Sequence, residues 1–144
     1  MSMHWFVVVD AGRTRVLTRD EPGGRLQTVE IIENPEAGSH ARDIDADRPG
    51  RAFDSAGAGR HAMGTEVDPV TQSQLRYVKK VTDYLGDACQ QGRCSRLMLV
   101  AGPRMLGMLR QQLDLPAGAE TQELEKNLGQ FEINELAAHL PESL

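Results

Sequence analysis

Trp5 to Val9 is an unbroken run of aromatic and β-branched residues that stops at Asp10. Both alternating faces of such a strand are apolar, so it has to be buried on both sides and lie centrally in its sheet. The remaining segments are most simply arranged around it. Asp10-Ala11-Gly12-Arg13 is a turn by composition, and Thr14 to Thr18 follows as a second strand paired antiparallel to the first. After the turn signal Glu21-Pro22-Gly23-Gly24, Leu26 to Ile32 reads as a half-exposed edge strand. Its alternation places Leu26, Thr28, Glu30 and Ile32 on one face and Gln27, Val29 and Ile31 on the other.

The second half of the chain has helical spacing. Asp68 can cap a helix whose first position is Pro69. Leu75, Val78, Val81, Leu85 and Ala88 form one apolar stripe, and Gly92 is its natural stop. Arg96 to Ala101 is a short buried strand broken by Gly102-Pro103. A second helix is predicted over Arg104 to Leu113, a polar edge strand over Ala119 to Leu124, and a closing helix over Ile133 to Leu140. The element order β-β-β, loop, α-β-α-β-α predicts an α/β fold. It has a mixed five-stranded sheet, begun by an antiparallel meander and covered by helices. The first and fourth strands are expected to lie side by side and parallel. Ligands in open sheets of this kind collect beyond the carboxyl ends of parallel strands. Here those ends are Asp10-Ala11-Gly12 and Gly102-Pro103-Arg104.

Between the meander and the first long helix lies an unpatterned run of 33 residues, Asn34 to Glu66. Loops beyond about 12–15 residues are uncommon in compact domains and are usually functional or disordered. Its centre, Arg48 to His61, contains Arg48, Gly50, Arg51, Gly57, Gly59, Arg60 and His61, with Asp54 as the one acid. Three arginines against one aspartate leave a formal +2 there. Arginine forks match phosphate geometry, and glycines let backbone amides approach an anion. Asp10, Arg13 and Arg104 would then lie beneath the loop. The bland alternative is that these arginines pair with Asp43, Asp45, Asp47 and Asp54 and pin the loop or a dimer contact.

The totals bound the remaining choices. A chain of 144 residues fits one domain, residues 1–144, and 40% hydrophobic with 26% charged residues is ordinary for a globular protein. With aromatics at 4%, the core has to be built mostly from aliphatic side chains and methionine. A net charge of −5 opposes a generally basic surface, so contact with nucleic acid would need a local patch. The apolar run at the N-terminus is too short for a secretion signal or a membrane span, which points to a cytoplasmic protein without a membrane partner. Cys89 and Cys94 have no neighbouring histidine and are expected to be two reduced, inert thiols rather than zinc ligands. No metal site or cofactor is expected. Asp10 stands at a strand end where a metal carboxylate could sit, but the fourth strand ends Val100-Ala101-Gly102 and supplies no second one.

Four segments carry a resemblance to a known family: Phe6 to Val16, Asp47 to Ser55, Gly59 to Ala62 and Ala101 to Arg110. The string Arg48-Pro49-Gly50-Arg51-Ala52-Phe53-Asp54-Ser55 is its most specific part. Together they resemble the bacterial host-attachment proteins, from about Trp5 to Leu140. Asn127-Leu128 departs from the Asp-Leu more usual in that family. The family is similar, more remotely, to the central domain of archaeal and eukaryotic peptide release factors and Pelota. That similarity implies a ribonuclease-H-like mixed sheet and a loop facing tRNA. In release factors the corresponding loop carries Gly-Gly-Gln; here it offers Gly57-Ala58-Gly59-Arg60-His61, without the glutamine.

Three functional readings follow. The leading one is RNA binding, to tRNA or the ribosome, through the glycine–arginine loop. The second is a protein-interaction module or homodimer with an indirect effect on attachment. The third is an ester hydrolase with His61, whose ordinary pKa lies near neutrality, as general base.

Overall fold

The computed structural model describes residues 4–37 and 68–141. Among the described residues, five strands and three longer helices follow in the expected order. Strands β1 (His4–Val9), β2 (Arg13–Thr18) and β3 (Gln27–Glu33) form the meander. Helix α1 (Pro69–Gln90), strand β4 (Arg96–Ala101), helix α2 (Pro103–Gln112), strand β5 (Glu120–Glu125) and helix α3 (Ile133–His139) complete the chain. The sheet order is β3-β2-β1-β4-β5. β1 pairs antiparallel with β2 and parallel with β4, the pairing expected of its two apolar faces. β5 adds a parallel edge to β4.

Alternation along β1 and β4 sorts their side chains into two layers. Trp5, Val7, Val9, Leu97 and Leu99 pack under α1 and α2 against Val78, Val81, Leu85 and Leu109. Phe6, Val8, Met98 and Val100 face the other way, onto Leu128, Leu136 and Leu140. One face is thus covered by two longer helices, the other by a seven-residue helix and the segment leading into it. Among the described residues, no helix is long and apolar enough to cross a membrane.

β3 departs from the expected pattern. Its register against β2 shifts between Val16 and Leu17: Val16 faces Glu30, whereas Leu17 faces Thr28. Val29 is therefore an extra residue, and a bulge of this kind reverses the side-chain phase across it. Leu26 and Ile32, assigned to one face by simple alternation, lie in opposite layers: Ile32 under α1, Leu26 with Leu17 on the other side.

Helix α1 begins as its sequence predicts. The Thr71 amide donates to Asp68 Oδ1 at 2.8 Å and the Thr71 hydroxyl to Oδ2 at 3.0 Å, with proline in the first turn. It ends at Gly92 with a φ of 79°, which glycine adopts without steric cost. The Thr71 amide, and after it the hydroxyl, holds the Asp68 carboxyl below its ordinary value of 3.8. A lowered folded pKa means that its stabilisation is present above the unfolded value and lost as pH falls through the folded one. Asp68→Ala is expected to cost about 1 kcal/mol at neutral pH. The gap between wild type and variant should close as urea titrations are taken below about pH 4. A gap that stays constant down to pH 2 would rule out the carboxylate as the cap.

Candidate functional site

The candidate site lies where β1 and β4 end side by side. The chain leaves β1 at Asp10, whose Oδ1 accepts from the amides of Gly12 (2.7 Å) and Arg13 (3.0 Å). The Asp10 amide donates in turn to the Arg13 carbonyl at 3.0 Å. Short polar side chains that bond the backbone two or three residues on are what make such turns tight. The carboxylate at this strand end is therefore a turn-forming group. Arg13 opens β2 half-exposed beside it.

β4 ends at Ala101, and Gly102 caps α2 without a side-chain acceptor. That leaves the Arg104 and Met105 amides with no intrahelical partner, a helix end that favours anions. Arg104 is exposed and donates from Nη2 to the Thr71 hydroxyl oxygen at 2.8 Å. Thr71 in turn donates to Asp68, so Arg104, Thr71 and Asp68 form a chain of polar contacts joining the starts of α1 and α2.

The two flanks of the long interval between β3 and α1 meet this same end of the sheet. On the β3 side, the Asn34 amide donates to the Gly12 carbonyl at 2.9 Å, and its Nδ2 to the Ala11 carbonyl at 3.0 Å. On the α1 side, Asp68 and Thr71 are joined to Arg104. Of the predicted site residues, Asp10, Arg13 and Arg104 are placed at this end. Arg48, Gly50, Arg51, Gly57, Gly59, Arg60 and His61 lie outside the described residues, as do Asp43, Asp45, Asp47 and Asp54, their alternative ion-pair partners.

Three further residues shape the site and were not singled out for it by sequence reasoning. Arg15, 6% exposed, sends Nη1 to the Phe131 carbonyl at 2.6 Å. Its Nη2 reaches the carbonyls of Leu128 (3.1 Å) and Gly129 (3.2 Å). Burial, and then repulsion from Arg13, lowers its pKa from the ordinary arginine value, with Asp10 and Glu132 acting in opposition. Gly129 presses on Asp10: a Cβ there would stand 1.9 Å from Oδ2. Asn127 lies against Gly102, where a Cβ would meet its Oδ1 at 2.9 Å. The segment 127–131 is thus clamped across the ends of β1 and β4. A sequence signal for Arg15 did exist: it shares the alternation phase of Leu17, so its side chain points into the layer of Phe6, Val8 and Leu17.

Nearby, the Tyr77 hydroxyl and Thr14 Oγ1 are 2.6 Å apart. Burial, helped by the Asp10 charge, pushes the phenol well above its usual range. Tyr77 therefore serves as a neutral hydrogen-bonding group tying α1 to β2.

Comparison with solved structures finds similarity to an archaeal translation termination factor, aRF1, at 11% identity and a TM-score of 0.45. The match covers 95% of this chain and 34% of that one. A structure described as an archaeal protein is similar at 9% identity and a TM-score of 0.39, over 88% of this chain and 31% of that one. Among curated proteins, the centrosomal protein of 104 kDa of Rattus norvegicus is 24% identical over 97 residues, 67% of this chain. This chain spans 9% of that protein's length. A family model matches residues 5–140, and the chain belongs to that family, described as protein required for attachment to host cells.

Proposed function

We propose that this member of the family binds RNA, tRNA or the ribosome, through the phosphate backbone. The string Arg48 to His61 makes the contact above Asp10, Arg13 and Arg104. One observation carries the reading: both flanks of the interval that holds the string are bonded to the carboxyl ends of β1 and β4. Asn34 holds Ala11 and Gly12, and Thr71 holds Arg104. Beneath the string, Asp10 and Asp68 balance Arg13 and Arg104, so the excess positive charge has to come from Arg48, Arg51 and Arg60. Such a protein acts in the cytoplasm, and its effect on attachment is indirect.

Fluorescence anisotropy with labelled tRNA, and co-sedimentation with ribosomes, test the proposal across a salt series. Binding should weaken steeply as salt rises, because each neutralised phosphate releases counterions. Arg51→Ala and Arg60→Ala should each weaken binding several-fold and lower the salt slope by about one. No binding to either at low salt, or affinities unchanged by both substitutions, would remove RNA from consideration.

A further inference from the structure

At the opposite end of the sheet from this site, the chain's two cysteines come together. Cys89 lies in the last turn of α1, and Cys94 lies just before β4. Their sulfurs are 3.0 Å apart, against a disulfide bond of about 2.05 Å. The backbone between them is held by the helix stop. The Gly92 amide donates to the Cys89 carbonyl (3.1 Å) and the Arg93 amide to the Ala88 carbonyl (2.9 Å), with Gly92 in its left-handed conformation. Arg93 lies over the rings of Trp5 (5.4 Å) and Tyr84 (5.7 Å), beside the pair.

From this juxtaposition we infer that Cys89 and Cys94 are a peroxide-oxidisable dithiol, converted to an intramolecular disulfide within the folded protein. Cys89 is the more exposed residue of the two, 8% against 2%, and is assigned the first encounter with a small oxidant. In the first step the Cys89 sulfur attacks one peroxide oxygen. The O–O bond breaks, Cys89 becomes a sulfenic acid, and the other oxygen takes up the Cys89 thiol proton and leaves as water. In the second step the Cys94 sulfur attacks Cys89, the S–O bond breaks, and the Cys94 proton leaves with the hydroxide as a second water. Two thiols are oxidised and one hydrogen peroxide is reduced to two waters. Burial, and then its hydrogen bond to Cys89, keep Cys94 protonated beforehand, so it gives up its proton only as it attacks. A peroxide fits this site better than a bulky disulfide because both sulfurs lie inside the core layer. The inference is independent of the RNA reading.

The full chain, reduced and then exposed to hydrogen peroxide without denaturant, tests it. The expected product is a monomer lighter by two hydrogens, with both thiols lost to alkylation and both recovered with dithiothreitol. In Cys94→Ser the reaction should stop at a Cys89 sulfenic acid that dimedone traps. In Cys89→Ser the Cys94 thiol should remain alkylatable after unfolding. Wild-type protein that keeps two alkylatable thiols, forms disulfide-linked dimers, or goes on to sulfinic acid would overturn the inference.

Discussion

Gly129→Ala is expected to destabilise the protein by about 3 kcal/mol, the upper end of what overpacking usually costs. The added methyl would stand 1.9 Å from Asp10 Oδ2, 2.5 Å from its Cγ and 2.6 Å from its Cβ. None of those atoms is free to retreat. Asp10 Oδ1 is held by two backbone amides, and the Asp10 amide is bonded to Arg13. The segment at Gly129 is held from the other side, because its own carbonyl accepts from Arg15. Relief therefore has to break the Asp10 turn or lift residues 128–131 off the sheet. Equilibrium urea unfolding measures the loss, and a cost below about 0.5 kcal/mol would show that the two segments are not in contact. Asp10→Gly removes the clashing atoms. In a double-mutant cycle, the Gly129→Ala penalty should shrink markedly in that background.

Arg15→Met is the second large effect, also expected at about 3 kcal/mol. Its guanidinium supplies donors to three carbonyls in a region the chain shields from water. A buried acceptor left without a donor costs roughly 1–3 kcal/mol, reduced where water can enter after the substitution. Methionine replaces much of the aliphatic stem but returns none of the donors. Lysine should rescue only in part, since one ammonium cannot reproduce the planar fork. Arg110→Ala provides the contrast. Arg110 makes a close ion pair, 2.7 Å to Glu123, yet its side chain is 62% exposed, so unfolding midpoints should barely move. If Arg15→Met proved as mild as Arg110→Ala, the clamp on 128–131 would not be what holds that segment.

These two residues also show how far the sequence could be read. Trp5 to Val9 announced a strand buried on both faces and Arg96 to Ala101 a short buried strand, and the two pair parallel within the sheet. Asp68-Pro69 and Gly92 marked both ends of α1, because capping and left-handed stops depend on residues within one turn of the helix end. Turn chemistry likewise identified Asp10. The bulge at Val29 escaped because a register shift belongs to a pair of strands, and nothing within β3 alone records what β2 presents to it. The clamp escaped for a related reason: Arg15 and Phe131 are 116 residues apart.

The predicted site was therefore legible in part. Asp10, Arg13 and Arg104 could be placed near one another once β1 and β4 were recognised as parallel neighbours. That Asn34 and Thr71 tie both flanks of the long interval to those same strand ends was visible only in three dimensions. What the sequence determined by itself was the set of elements, their order and the faces they bury. Periodicity, caps and turns are local and depend on a few adjacent side chains. Tertiary structure alone decided the β3 register, the clamp of Arg15 on residues 128–131, the close fit of Gly129 on Asp10, and the meeting of Cys89 with Cys94. Each depends on the distance between groups on separate elements, and that distance is set by how the layers pack.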